Sequence, residues 1–443
     1  MSINKILLLV LSLGFISACA DNLELQPAQS IGEDIALNTD ANVKAVLIGA
    51  YDELGNGDLY GGNVHRNATL LGGTGEIQFV GTFNAPDEIA RKNITVGNLD
   101  AQEHWLEAYE TINITNNVIA ALDVVNESDR DVVEGEARFI RALLYFDLLR
   151  FYGLPYASGG NNSQLGVPII TMPTRGITDE SNVSRGTVEA GYTQVISDLE
   201  TASSLLPSSN GFFATSGAAQ ALLARVFLQM GRFEDARDAA NVVISSGTYS
   251  LTPSYAGAFM NAGNSVEDIF AMQVSTQDGV NNLNTFFSVP AFGGRDGDIE
   301  ILPSHIARYE ADDARLALFF GDGATYTGKY NDQFAVVSVI RLAEMYLIRA
   351  ETNERLGTTV GATPAEDITT IRTRSGLNTD AVDLALILDE RVRELAFEGL
   401  LIHDARRLQL DVGSLPYNDP SLVFPIPDRE MNANPNLEQN PGY

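Results

Sequence analysis

Residues 219–249, AQALLARVFLQMGRFEDARDAANVVISSGTY, decide the fold of this chain. Apolar and small residues recur at every third or fourth position on both sides of a glycine, which is the period of a helix with one buried face. The positions that carry the pattern are Leu223, Ala224, Phe227, Gly231, Phe233 and Ala236. Because glycine permits a tight turn, the stretch predicts two antiparallel helices that meet at Gly231.

This spacing matches a tetratricopeptide repeat, whose helix pairs bury their apolar faces by stacking on neighbouring pairs. A weaker version recurs at 339–357, VIRLAEMYLIRAETNERLG. Small alanines let paired helices approach closely, and Phe and Tyr fill the space between pairs. Further helices are predicted at 41–55, 105–122, 134–153, 187–206 and 388–399, with i,i+4 ion pairs Glu134–Arg138 and Asp389–Arg393. The sequence therefore predicts a mostly helical repeat array.

Composition limits the possible partners. Apolar residues make up 45% of the 443 residues, as in a folded protein, and the length favours two lobes or an extended array over one core. The 58 acidic residues outnumber the 28 basic ones, for a net charge of −30. Nucleic acid is excluded as a partner, because phosphate binding needs a basic surface.

The N-terminus predicts a lipid anchor. After Lys5, Ile6 to Ile16 form an apolar run too short for a bilayer span of roughly 20 residues, as in a secretion signal. Ile16-Ser17-Ala18-Cys19 resembles the lipobox of bacterial lipoproteins, and Cys19 is the chain's single cysteine. We expect a signal peptide at 1–18, a lipidated tether at 19–40 and the folded domain at 41–443; a plain cleaved signal with an incidental cysteine is the alternative.

Three stretches interrupt the helical pattern. Residues 56–103 and 252–335 are irregular and rich in glycine and β-forming residues, and long irregular insertions often carry function. The glycine-rich GNGDLYGGN (55–63) lacks the order of a nucleotide-binding loop. The last 28 residues carry six of the 16 prolines, which predicts a tail without helix that lies extended across the body.

Six stretches between residues 105 and 443 together resemble the SusD/RagB family, the glycan-binding surface lipoproteins of Bacteroidetes. They are WLEAYETINITNNVIAAL, EARFIRALLYFDLLRFYG, LLARVFLQMGRFEDARDAANVVISSGTYSL, RLAEMYLIRAE, ERVRELAFEG and FPIPDREMNANPNLEQNPGY. The resemblance implies a mostly α, tetratricopeptide-like right-handed superhelix with an irregular loop-rich ligand-binding lobe. It also implies an outer-membrane location, no cofactor, and a SusC-like TonB-dependent transporter that receives captured oligosaccharide.

Two departures from the family pattern stand out. After FEG the family shows an arginine and aromatic residues, whereas this chain has Leu400 to His403 before Asp404; we expect that motif to be structural. The chain's single tryptophan, Trp105, lies in a packing motif, so sugar stacking must come from other planar side chains.

The two insertions supply the candidate glycan-binding residues. Tyr and Phe would stack on sugar rings, and Asn, Arg and Asp would bond hydroxyl groups; about half of the aromatics are expected to be structural. The candidates are Tyr60, His65, Arg66, Phe79, Phe83, Asn84, Phe286, Phe287, Phe292, Arg295 and Asp296. DDAR (312–315) and TGKY (327–330) are predicted to be packing features.

Two other functions stay open. A surface glycoside hydrolase or lyase needs only two suitably placed carboxylates, and Asp296 and Asp298 could face the same way. A structural scaffold of the transporter complex needs no ligand. The sequence has neither a G-x-S-x-G nor an H-E-x-x-H motif, and its four histidines lack paired metal-binding spacing, so no catalytic residue is predicted.

Overall fold

The computed structural model describes residues 37–176, 178–277 and 279–443. The predicted signal peptide, Cys19 and most of the tether lie outside the described residues. The α-helices are α1 (Asp40–Leu54), α2 (Asn63–Gly72), α3 (Asn84–Ala90), α4 (Leu99–Ala120), α5 (Arg130–Tyr152), α6 (Val188–Leu205), α7 (Ser216–Met230), α8 (Phe233–Ser245), α9 (Asn282–Phe287), α10 (Pro303–Ile306), α11 (Leu342–Leu356), α12 (Pro364–Arg374), α13 (Leu384–Glu394), α14 (Leu401–Arg407) and α15 (Asp428–Ala433). The strands are β1 (Ile77–Phe79), β2 (Asp268–Met272), β3 (Ile299–Ile301), β4 (Phe319–Phe320), β5 (Tyr326–Thr327) and β6 (Val337–Arg341).

The long helices stack one on the next. Helices α1, α4, α5, α6, α7, α8 and α11 follow one another, each packed against its predecessor, and α11 also contacts α12 and α13. The strands form two-stranded sheets, β1 with β3, β2 with β6 and β4 with β5. The prediction of a mostly helical, tetratricopeptide-like fold is confirmed.

The turn between α7 and α8 follows from its glycine. Gly231 has φ +74°, in the left-handed region, and its N–H donates to the Leu228 carbonyl at 3.1 Å. Left-handed backbone favours glycine because other residues carry a Cβ that clashes there. The helix pair of residues 216–245 thus has the antiparallel arrangement that its sequence predicts.

Helix α5 is the centre of the core. All residues from Phe139 to Tyr152 are buried, although the sequence pattern predicted only one apolar face. The polar residues among them have buried partners: Arg141 Nη2 lies 2.6 Å from Asp198 Oδ1, and Arg150 pairs with Asp147. The predicted Glu134–Arg138 pair is present at 2.7 Å between two half-buried side chains.

A buried ion network joins the C-terminal helices to the rest. Arg225 Nη2 lies 2.6 Å from Glu344, and Glu398 contacts Lys329 at 2.6 Å and Arg341 at 2.8 Å. Buried charges need such partners. Asp313 and Arg315 of DDAR and Lys329 of TGKY are all buried, which confirms them as packing features. Of the altered residues after FEG, Leu400, Ile402 and His403 are buried, so that motif is structural.

The C-terminal tail packs onto the helices but is not free of helix. Phe424 and Ile426 are fully buried, and the Phe424 N–H donates to the Phe151 carbonyl at 2.7 Å. The prediction of no helix is wrong for Asp428–Ala433. Pro427 precedes this helix, where its missing N–H leaves no bond unmade, and Asp428 and Glu430 favourably occupy the first turn.

Candidate functional site

The two irregular insertions come together in one lobe. Strand β1 pairs antiparallel with β3, so that Ile77 lies opposite Ile301 and Phe79 opposite Ile299. The ladder continues where the Val80 N–H donates to the Asp298 carbonyl at 2.8 Å. This pairing brings residues 80–84 close to residues 295–298.

A cleft of about 670 Å³ opens between these segments. That volume lies within the range of small-ligand sites. Its lining residues come from α2, the start of α3, the start of α4, α9 and the loop after it. They are Asn63, Arg66, Thr82, Phe83, Asn84, Ala85, Pro86, Glu88, Gly97, Asn98, Leu99, Asp100, Asn282, Thr285, Phe286 and Arg295.

Planar side chains form the wall of the cleft. The guanidinium carbon of Arg295 lies 4.1 Å from the ring centroid of Phe83, and that of Arg66 lies 4.1 Å from the ring of Phe286. The two phenyl rings are 5.9 Å apart and tilted by 59°. Phe83 is 47% exposed and Phe286 only 6% exposed. Arg295 and Phe83 therefore present the planar surface, and Phe286 and Arg66 support it from behind.

Arg66 is held in the interior by polar partners. It is fully buried, forms an ion pair with Asp100, and donates through Nη2 to the Asn67 Oδ1 at 2.9 Å. Burial raises the pKa of Asp100, while the neighbouring Arg66 opposes that rise. Because a guanidinium stays charged even when buried, this pair gives the floor of the cleft a fixed charge arrangement.

A glycine lets α9 approach α2. Gly62 has φ +143°, and a Cβ there would meet Asn282 and the Leu283 nitrogen at 2.8 Å. The Asn282 N–H donates to the Gly61 carbonyl at 2.8 Å, and its side chain donates to Asn63 Oδ1 at 3.0 Å. The glycine-rich stretch 55–63 thus docks the two helices that carry Arg66 and Phe286.

The carboxylates that line the cleft already have hydrogen-bond or ion-pair partners within the protein. Glu88 Oε2 accepts from the Asn98 side chain at 2.9 Å and from Thr95 N–H and Oγ1 at 3.0 Å. Burial raises the pKa of Glu88, but these hydrogen bonds outweigh it and leave the pKa below its usual value. Asp100 is bound to Arg66. This arrangement suits binding through stacking and hydrogen bonds better than proton transfer.

The structure places five of the eleven predicted residues on the cleft: Arg66, Phe83, Asn84, Phe286 and Arg295. Tyr60, His65 and Phe287 are buried in the core and do not line the cleft, so their assignment to the site is corrected. Tyr60 bonds Asp147, the ring of His65 packs edge-on against Tyr60, and Phe287 packs against Tyr330.

The remaining predicted residues lie outside the cleft. Phe79 is half-buried and packs against the main core. Phe292 is exposed in a different groove, and Asp296 is exposed. Asp298, which could have faced the same way as Asp296, is buried and lies 3.2 Å from Arg295.

Sequence reasoning missed several lining residues. Leu99 is 61% exposed at the first position of α4, and Asn282 and Thr285 lie on α9. Asparagine N-caps precede both helices: Asn98 accepts from Ala101 N–H, and Asn281 accepts from Asn284 N–H. Asparagine caps of this kind are a sequence signal for the start of a helix. They therefore could have predicted where α4 and α9 begin.

None of the helices among residues 37–176, 178–277 and 279–443 combines the length and hydrophobicity that crossing a bilayer requires.

Comparison with known proteins gives matches at both ends of the chain. A family model described as "Starch-binding associating with outer membrane" matches residues 21–228, and the SusD family model matches residues 319–419. SusD-like protein P38 of Formosa agariphila is 23% identical, with 98% of both chains aligned. SusD-like protein P2 of the same organism is 27% identical over 55% of this chain. The matched region covers 46% of the length of P2, so this chain spans about half of that relative.

A solved structure agrees over nearly the whole chain. A SusD superfamily protein from Bacteroides thetaiotaomicron superposes with a TM-score of 0.79 at 26% identity, covering 91% of this chain and all of the other. The shared helical fold and the two family-model matches, one in the N-terminal half and one that includes α11 to α14, therefore point to the same family. The chain belongs to the SusD/RagB family.

Proposed function

We propose that this protein is a cell-surface lipoprotein that binds an oligosaccharide in the cleft and delivers it to a SusC-like TonB-dependent transporter of the outer membrane. The observation that carries the proposal is the exposed Phe83–Arg295 surface on the cleft wall, with amide groups around it. Flat apolar faces pack against the C–H face of a sugar, and amides bond its hydroxyl groups. The starch-binding description of the matching family model supports the same ligand class.

The net charge of the protein limits the class of ligand that it binds. The net charge of −30 repels strongly anionic polysaccharides at low salt. Neutral glucans or fructans are therefore the proposed substrates. A hydroxyl-specific hydrogen bond gives selectivity, because a sugar that lacks the hydroxyl leaves a polar group of the site unpaired.

Binding is tested with the chain lacking residues 1–19. Retardation gels and titration calorimetry against neutral and acidic polysaccharides should show retention by a neutral glycan without new reducing ends. Phe83→Ala should weaken that binding about tenfold, the loss of one stacking contact. Phe212→Ala is the matched control, because Phe212 is an exposed phenylalanine outside the cleft. New reducing or unsaturated ends would indicate an enzyme, and no binding at all would favour a scaffold.

Anchoring and delivery need a second experiment. The tagged full-length protein, extracted with detergent from the outer membrane of its own cells, should co-purify with a TonB-dependent transporter that mass spectrometry identifies. Cys19→Ala should release the protein from the membrane fraction, because the acyl chains supply its anchor. A mature wild-type protein whose mass spectrum shows no acyl chains on Cys19 would contradict lipidation at this cysteine.

A further inference from the structure

A second groove lies beside the cleft on the same lobe. Its volume is about 710 Å³, and three phenylalanines contribute to its wall. Phe292 is 44% exposed, and its ring meets that of Phe320 edge-on at 5.5 Å. Its lining includes Phe292, Phe320, Asn331, Asp332, Gln333 and Phe334. The groove thus combines one exposed and two half-buried phenylalanines with polar side chains.

The cleft and the groove share one short segment. Arg295 lines the cleft and Phe292 lines the groove, three positions apart in the chain. Three residues span at most about 11 Å of fully extended chain, which bounds the separation of their Cα atoms. A ligand chain of several sugar units is therefore long enough to span the distance between Arg295 and Phe292.

Hydrogen bonds hold this segment in place. The Arg295 N–H donates to the Thr285 carbonyl at 3.1 Å. Asn284, fully buried, donates to the Phe292 carbonyl at 3.1 Å, and Gln333 donates to the Gly293 carbonyl at 3.0 Å. The two surfaces are consequently fixed relative to each other before any ligand binds, which reduces the entropy lost on binding.

We propose that a neutral oligosaccharide bound in the cleft continues into this groove, where Phe292, Phe320 and Phe334 form a second subsite for the same chain. The inference rests on the proposed function. A carbohydrate fits the groove because the lining combines aromatic rings, which stack on sugar rings, with the Asn331 amide and the Asp332 carboxylate, which bond hydroxyl groups. The Asp332 carboxylate also disfavours an anionic chain.

Chain-length dependence tests the proposal. The probes are two ladders, maltose to maltooctaose and inulin-type fructo-oligosaccharides of the same lengths, titrated by calorimetry. For the ladder that binds, affinity should rise about tenfold or more from the shortest to the longest member, the effect of one added stacking surface. Phe292→Ala should remove that rise and leave short-chain affinity unchanged. Phe83→Ala should weaken every length, and Phe212→Ala should change none.

Each other outcome overturns the inference. Length-independent affinity, or a Phe292→Ala variant that keeps the full rise, would overturn the second subsite and leave the proposed function intact. Failure of the whole polysaccharide panel would overturn both, and binding of acidic chains alone would overturn the neutral ligand. If Phe292→Ala instead abolished co-purification with the transporter while glycan affinity stayed the same, the groove would be a protein-docking surface.

Discussion

The guanidinium of Arg295 lies over the ring of Phe83, with 4.1 Å between its central carbon and the ring centroid. Arg295 also donates to Thr82 Oγ1 at 2.9 Å and lies 3.2 Å from the buried Asp298 carboxylate. Three contacts thus hold one flexible side chain in a flat, half-exposed position. A ligand that meets this surface does not have to order it, which favours affinity.

Arg295→Lys tests whether the flat shape or the charge matters. Lysine keeps the positive charge toward Asp298 but loses the planar group that covers Phe83. We expect glycan affinity to fall about two- to tenfold, because the ligand loses one planar stacking surface. The free energy of unfolding should fall by no more than about 1 kcal/mol, because the exposed contact between Arg295 and Phe83 is lost as well. Titration calorimetry and urea unfolding measure the two quantities. Wild-type affinity in Arg295→Lys, together with weak binding in Arg295→Ala, would show that charge alone acts.

Gly231 offers a test of the repeat turn. Gly231→Ala places a Cβ in left-handed backbone and within 2.9 Å of the Ser158 side chain. Gly357→Ala is the matched control, because Gly357 has φ +63° but open space around it. Both variants should lose about 1–2 kcal/mol of stability from the backbone term, and Gly231→Ala about 1–3 kcal/mol more from crowding.

Urea unfolding of the two variants measures the difference. Adding Ser158→Gly to Gly231→Ala should restore the stability lost through crowding. The stability lost through the left-handed backbone should remain. Equal losses in Gly231→Ala and Gly357→Ala would mean that the loop around Ser158 moves away freely.

The helical repeat could be predicted because its signals are local. Apolar spacing and the glycine turn of residues 219–249 are complete within 31 residues, and the helices formed there. The full burial of α5 could not be predicted from such a pattern. From the sequence alone, Arg141 of that helix would be predicted to lie on the surface. Its buried partner Asp198 is 57 positions away, and sequence spacing does not reveal such a partner.

The presence of an irregular lobe could be predicted from composition, but the geometry of that lobe could not. The two irregular insertions meet through β1 and β3, whose paired residues Ile77 and Ile301 lie more than 200 positions apart. Phe286 and Phe287 are neighbours in one short helix, yet only Phe286 lines the cleft. Successive helical residues point in different directions, so an aromatic-rich stretch predicts a site without saying which ring faces it.

The pair of Arg225 and Glu344 should be essential for stability. Arg225 Nη2 lies 2.6 Å from Glu344, and both side chains are buried. Glu344→Ala leaves the Arg225 charge in the interior without this partner, and such losses amount to about 3–5 kcal/mol. Arg91→Ala breaks an exposed pair with Asp87 and should change stability by less than about 1 kcal/mol. Similar urea midpoints for both variants would refute a dominant role for the buried pair.

Stability should fall when the solution is acidified below neutral pH. Burial lowers the pKa of His65, His104 and His305 to about 4, against about 6.5 in an unfolded chain. Between these values the unfolded chain binds more protons than the folded one, so stability is lost as pH falls from 6.5 to 4. Glu136 acts in the opposite direction, because burial raises its pKa to about 7 and protonation favours the folded state between pH 7 and 4.5.

His104→Phe isolates one of these contributions. His104 packs edge-on against Phe151 at 4.9 Å, and its Nε2 is buried without a hydrogen-bond partner, so a phenyl ring can replace it. A His104 pKa lowered from about 6.5 to about 4 corresponds to at most about 3 kcal/mol of stability. Urea unfolding at pH 7 and pH 5 should therefore show a smaller difference in His104→Phe than in the wild type. An identical difference in the two proteins would mean that His104 is already protonated or hydrated in the folded state, and that burial does not control its charge.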